Sequence, residues 1–166
     1  MSVLISALFV GLNGLIAFAL SCIVVVERTK TRLWHGGTEL EAATQPDYLA
    51  APNPWAKLVE HFTQKLVLSK TADDGVLQRK VRAYGNFTEY VPLGLLLILC
   101  LELMSSPPWF LGVMGSALTV GRIAHAWGLI KTYGPSPRRA FGFVLTGCVY
   151  ICGATACLYS GVMGLL

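Results

Sequence analysis

Arg79, Arg82, Asn86 and Glu89 follow one another at spacings of three, four and three. A helix therefore carries all four along one face. Guanidinium groups are suited to bidentate capture of carboxylates, so several of them converging in a cleft between helices would hold a small polyanion. The same segment runs on into Val91-Pro92-Leu93-Gly94-Leu95-Leu96-Leu97-Ile98-Leu99, which is sequence of the kind that lies in lipid. Ionisable residues at the edge of such a run are costly unless they face a protein interior, a cavity or a ligand.

Other charged residues extend the set. Arg122 and His125, three apart, share a face of a later apolar run, and Arg138 lies at the start of the last one. Arg28 or Arg32, at the end of the first run, adds a further cation; ordinary flanking charge is the alternative for these and for Arg139. Glu89 sits about one turn inside its run and Arg122 about two turns inside the next. In an antiparallel hairpin these depths are comparable, so a Glu89–Arg122 ion pair is expected, serving either to buttress a site or only to lock helix register. His125 is read as a helix-contacting hydrogen-bonding group. Five cysteines, Cys22, Cys100, Cys148, Cys152 and Cys157, fall inside apolar runs and read as small buried hydrophobes. Cys148 and Cys152 share a face, but no His or acid is placed to complete a metal set.

The elements that must position these residues are membrane-spanning helices. Of 166 residues 54% are hydrophobic and 13% charged, about half the charged fraction of a soluble domain, and the mean hydropathy is +0.60. Four runs, about 3–26, 82–103, 109–130 and 140–165, are long enough to cross a bilayer, which takes roughly 20 residues. The first lacks a basic leader and ends in Glu27-Arg28-Thr29-Lys30-Thr31-Arg32, so it reads as a retained span and not a cleaved signal. The expected fold is an all-α integral membrane protein, a single four-helix domain. Nine Lys or Arg between Glu27 and Arg82, with Lys131, Arg138 and Arg139 after the third run, put the first and third connections in the cytoplasm and both termini outside. The net charge of +4 comes from this asymmetry and gives no case for nucleic-acid binding.

The connections differ in kind. Residues 33–72 form a long cytoplasmic insertion. Within it Trp55, Leu58, Val59, Phe62 and Leu66 recur at helical spacing opposite Lys57, Glu60, Gln64 and Lys65. An amphipathic helix over about 54–70 follows, lying on the inner membrane surface or packed on the protein's own cytoplasmic face. Asp73 or Asp74 is placed to cap the helix leading into the second span. Ser105-Ser106-Pro107-Pro108 makes a tight outer hairpin, and Gly142, Gly147, Gly153 and Gly161 give the last span small faces for helix contact.

The motif Arg82-x-x-x-Asn86-x-x-Glu89-Tyr90-Val91-Pro92-Leu93, followed by a leucine-rich run and Glu102, resembles the signature of the membrane-associated proteins of eicosanoid and glutathione metabolism (MAPEG). Gly121-Arg122-Ile123-Ala124-His125-Ala126-Trp127-Gly128 is similar to the third-helix motif of that family. The resemblance implies a homotrimer in a membrane, the bacterial inner membrane for a member of this type. It implies glutathione, or another thiol, as cosubstrate, and a transferase or peroxidase activity on lipophilic electrophiles. It places Arg82, Asn86 and Glu89 on glutathione, with Arg79 and Arg28 or Arg32 in support, and His125 and Arg138 in the catalytic role. Glutathione carries two carboxylates and one ammonium, which arginines and one Glu complement. Three positions depart from the family pattern: Leu129 and Gly142 replace tyrosines of the eicosanoid-synthesising members, and Gly85 replaces a basic residue of some members. The alternative implied is a non-catalytic subunit that binds membrane lipid, or docks a membrane protein partner through residues 33–72. A channel or transporter is the weaker class, since the ionisable residues cluster at one end and form no path.

Overall fold

Among the described residues of the computed structural model four long helices stand out, two opened by proline and a third by glycine. The described residues are 3–31, 33, 54, 57, 58, 61, 75–132 and 134–165. Among them the elements are α1 (Leu4–Thr31), α2 (Val76–Leu103), α3 (Pro108–Lys131) and α4 (Pro137–Leu165). Pro108 and Pro137 stand at first helical positions, where the missing N–H costs nothing and φ is already helical. α2 starts from Gly75, whose φ of 72° only glycine adopts freely. The cap expected at Asp73 or Asp74 falls on two aspartates that lie outside the described residues. At the other end of α2, Ser105 turns the chain with φ 60°, and its N–H donates to Glu102 O at 3.0 Å.

The chain forms a four-helix membrane bundle. α1, α2 and α4 are each long and apolar enough to cross a bilayer. α3 is not in that class, because Arg122, His125 and its glycines lower its mean hydropathy. It is also the interior helix, with ten of its 24 residues buried, among them Gly115, Thr119, Gly121, Arg122 and Gly128. α1 and α4 instead turn Leu4, Leu8, Leu15, Phe18, Phe143, Ile151 and Leu158 outward, each more than 60% exposed, as lipid-facing surfaces do. Cys148 and Cys152 are exposed on α4 and Cys22, Cys100 and Cys157 are half-buried, so none of the five cysteines is fully buried as expected.

α2 and α3 form the centre, with α1 on one side and α4 on the other. Leu20, Ala83, Phe87, Val91, Ala126 and Leu129 make one core cluster. Ile98, Leu101, Leu111, Met114, Leu118 and Val149 make a second, nearer the Ser105 turn. Polar ties fix α1 along its length. At its start the Glu102 carboxylate accepts from the N–H of Ile5 (2.9 Å) and of Ser6 (2.7 Å), two helix-terminal donors that the helix cannot satisfy itself. In the middle Asn13 Nδ2 donates to Thr119 Oγ1 at 2.9 Å, and Gly115 has no room for a side chain beneath the Phe9 ring. At its end buried Glu27 pairs with Lys80 of α2 at 2.7 Å.

These ties make α1 and α2 antiparallel and gather the basic termini. Arg28, Lys30, Arg79, Lys80, Arg82, Lys131, Arg138 and Arg139 all lie at one end, hereafter the basic end. Pro54, Lys57, Leu58 and His61 are helical and exposed. The rest of the amphipathic segment expected over 54–70, and of the 33–72 insertion beyond Leu33, lies outside the described residues, as does Arg32.

Candidate functional site

The α2 stripe divides by angle around the helix. Arg82 and Glu89 are seven apart, almost two full turns, and share a direction. Both are exposed. Asn86 and Tyr90, four apart, point about one step nearer the core and are half-buried, and Ala83 and Phe87 beyond them are buried. The helix thus grades from a charged outer edge to an apolar inner one, with Asn86 on the boundary. Arg79 is half-buried, and its Nε is shielded from solvent with no partner.

Behind this boundary sits Arg122, 2% exposed at the junction of α2, α3 and α4. Its guanidinium lies over the Tyr90 ring, 5.0 Å from the centroid. Nη1 donates to Asn86 O at 3.5 Å, and Nε is buried with no partner. Tyr150 of α4 completes the cluster, its hydroxyl donating to Tyr90 O at 2.6 Å with the two rings 6.1 Å apart. No carboxylate pairs with Arg122 among the described residues. The Glu89–Arg122 ion pair expected from depth is therefore replaced by a cation–π and carbonyl environment. Depth was matched, but azimuth was not: Asn86 and Tyr90 face α3, while Glu89 is turned about 100° from Tyr90.

His125, one turn along α3 from Arg122, is half-buried, with Nδ1 3.1 Å from Arg139 O. A carbonyl can only accept, so in this contact Nδ1 carries the proton and the neutral ring keeps Nε2 as an acceptor. Arg139 is drawn back onto its own turn, Nη1 donating to Gly134 O at 2.5 Å. Arg138 is exposed. Arg28 is half-buried near the end of α1.

The structure thus brings Asn86 and Arg122 together, sets His125 beside α4, and leaves Arg82, Glu89 and Arg138 on the outer surface. Sequence reasoning missed Tyr90 and Tyr150 as partners of Arg122, and Glu27 and Lys80 as an ion pair. Tyr90 carried a signal, since it stands four residues after Asn86 on the same face. The other three carried none in their local spacing.

The two absent hydroxyls have structural correlates. A Cβ on Gly142 would meet Gly121 O and lie 2.7 Å from His125 Cβ, so α3 and α4 touch through backbone at that point. Leu129, 7% exposed, belongs to the apolar cluster with Phe87 and Ala126.

The fold and motifs meet an independent comparison: the family model described as "MAPEG family" matches residues 6–159. The chain belongs to the MAPEG family. Its relatives include the inner membrane protein YecN of Escherichia coli strain K12, 35% identical over 52 residues, which are 31% of this chain and 40% of that protein. YecN of E. coli O6:H1 strain CFT073 matches with the same values. The aligned region thus spans about two-fifths of the length of these curated relatives. No solved structure matches the chain significantly. The MAPEG assignment accounts for the integral membrane bundle and for polar motifs on α2 and α3 embedded in it.

Proposed function

We propose that this MAPEG protein is a membrane transferase or peroxidase that presents glutathione, or a related thiol, to lipophilic electrophiles. The observation that carries the reading is the exposed Arg82–Glu89 edge of α2 inside a lipid-facing bundle. Charged side chains at that depth need a protein or ligand cover. A second copy of the chain supplies the cover in this reading, giving a homotrimer whose sites lie between protomers. The location that fits is a bacterial inner membrane, with the basic end in the cytoplasm and both termini outside.

The charges fit the tripeptide. Arg82, Arg79 and Arg138, with Arg28 in support, answer its two carboxylates, and Glu89 answers its ammonium. Asn86 adds an amide on the same face. Conjugation requires the thiol to lose its proton, and a thiolate is favoured beside a cation. In this reading His125 Nε2 receives that proton and Arg138 stabilises the charge left behind; an arginine holds its own proton too tightly to act as a base.

The test is thermal unfolding with and without millimolar glutathione, together with turnover of a generic aryl halide. Saturating ligand at a hundred times its Kd stabilises by about 2.7 kcal/mol, an increase that Arg82→Ala cuts to about 1.4 kcal/mol or less at the same concentration. An unchanged melting temperature together with no conjugation overturns the enzyme reading.

A second reading rests on Leu129 and Gly142, which carry no hydroxyl at the two positions where the eicosanoid-synthesising members have tyrosines. It is a non-catalytic subunit that binds lipid, or docks a membrane protein through residues 33–72. Ligand stabilisation without any turnover, together with loss of a co-purified partner on deleting 34–70, favours it over the first.

A further inference from the structure

On the α1–α3 side of the bundle runs a groove of about 260 Å³, lined by Ile16, Leu20, Ile123, Trp127, Ile130 and Lys131. Its floor is the buried Leu20, and its wall includes Ile123, 43% exposed, and Trp127, 56% exposed, so it opens sideways to the membrane. Ile123, Trp127, Ile130 and Lys131 follow at spacings of four, three and one, and Trp127 and Lys131 stack one turn apart. The groove therefore extends about 12 Å along α3 at roughly 1.5 Å per residue. It ends at an exposed ammonium at the basic end.

Lys131 has no ion-pair partner among the described residues. A trough of aliphatic side chains with one ammonium at its interfacial mouth has the pattern of an anionic amphiphile. We infer that this groove holds one acyl chain of an anionic phospholipid, with the headgroup phosphate at Lys131. The second chain stays in the bilayer, which the lateral opening allows. A second copy of the protein is a poorer occupant. Among the described residues the sole exposed carboxylate is Glu89, on the α2 face assigned to the thiol site, so the described faces of a neighbouring protomer offer Lys131 no other exposed acid. The groove does not depend on the thiol reading, and its test needs no glutathione.

Of the four tryptophans, replacing Trp34, Trp55 and Trp109 by Phe leaves Trp127 as the reporter inside the groove. The full chain is reconstituted in vesicles with a minor fraction of brominated phosphatidylglycerol or, in parallel, brominated phosphatidylcholine. The anionic lipid is expected to quench Trp127 with about fivefold higher apparent affinity, the factor one lysine contributes beside an anionic headgroup at a membrane surface. Lys131→Gln, a change at an exposed position, is expected to erase the preference. Equal quenching by both lipids, or a preference that survives Lys131→Gln, overturns the inference in favour of ordinary annular lipid. Absence of quenching by either lipid overturns it in favour of a face covered by a second copy. Should the triple tryptophan replacement fail to fold, native mass spectra of the otherwise unmodified chain and of Lys131→Gln decide it. A phosphatidylglycerol adduct on the first and not the second supports the inference, and the same adduct pattern on both refutes it.

Discussion

Replacing Arg122 by Met should stabilise the ligand-free bundle. A guanidinium at lipid depth in a helix costs about 2.5–3.5 kcal/mol on insertion scales. Against that stand one cation–π contact to Tyr90 at 5.0 Å, about 1–2 kcal/mol when desolvated, and a 3.5 Å contact to Asn86 O. The latter is at the limit of hydrogen-bond geometry and contributes little. Nε has no partner. A residual cost of about 1 kcal/mol remains, and Met removes the charge while keeping most of the side-chain length; buried charges replaced by well-packed apolar residues often behave this way. Reversible unfolding in mixed micelles, followed by tryptophan fluorescence, should show Arg122→Met more stable by about 1 kcal/mol. Arg122→Ala, which leaves a cavity, should fall about 2 kcal/mol below the Met variant. Destabilisation of the Met variant by more than about 2 kcal/mol would mean that a carboxylate does pair with Arg122, and would refute the reasoning. If the Met variant is also the one that loses glutathione binding, stability and function trade against each other at this position.

Other substitutions test the frame. Glu102→Ala removes the acceptor for Ile5 and Ser6 N–H; a cap is worth about 1 kcal/mol, so about 2 kcal/mol should be lost, with amide exchange faster at the start of α1 and unchanged at the Glu27 end. Lys80→Met breaks the 2.7 Å pair with buried Glu27 and should destabilise by about 3 kcal/mol, an effect the exposed Arg82→Met does not share in the same unfolding assay. Gly142→Tyr, which restores the hydroxyl of other MAPEG members, should prevent α3 and α4 from closing through Gly121 O. Its expected signature is loss of the monodisperse species in size-exclusion chromatography, and a well-folded, activated variant would contradict the packing described.

The helices were legible because they follow from composition and period. Long apolar runs and the Ser105–Pro108 turn act locally. The α2 stripe was legible for the same reason, since a spacing of three or four residues fixes a face whatever the bundle does. Partnership across helices was not. Arg122 and Glu89 were matched by depth alone, and only the rotation of α2 against α3 decides that Tyr90 and Asn86 meet the guanidinium. Glu102 reaching Ile5, and Lys80 reaching Glu27, depend on how the ends of α1 and α2 approach over 97 and 53 residues of sequence separation. Gly142 read as one small residue among several, and its contact with Gly121 arises from the crossing of α3 and α4. Resemblance identified where family tyrosines were missing, while the structure supplied the reason one of them cannot be accommodated.

The central claim is that the Arg82–Asn86–Glu89 edge of α2 is a binding surface for a small thiol-bearing polyanion. Isothermal titration of glutathione into the solubilised protein measures it most directly. Glutathione should bind the wild type saturably and Arg82→Ala at least tenfold more weakly, or by about 1.4 kcal/mol, with Arg139→Ala unchanged because Arg139 is occupied by Gly134 O. No binding to the wild type, or equal binding to wild type and Arg82→Ala, would contradict that claim.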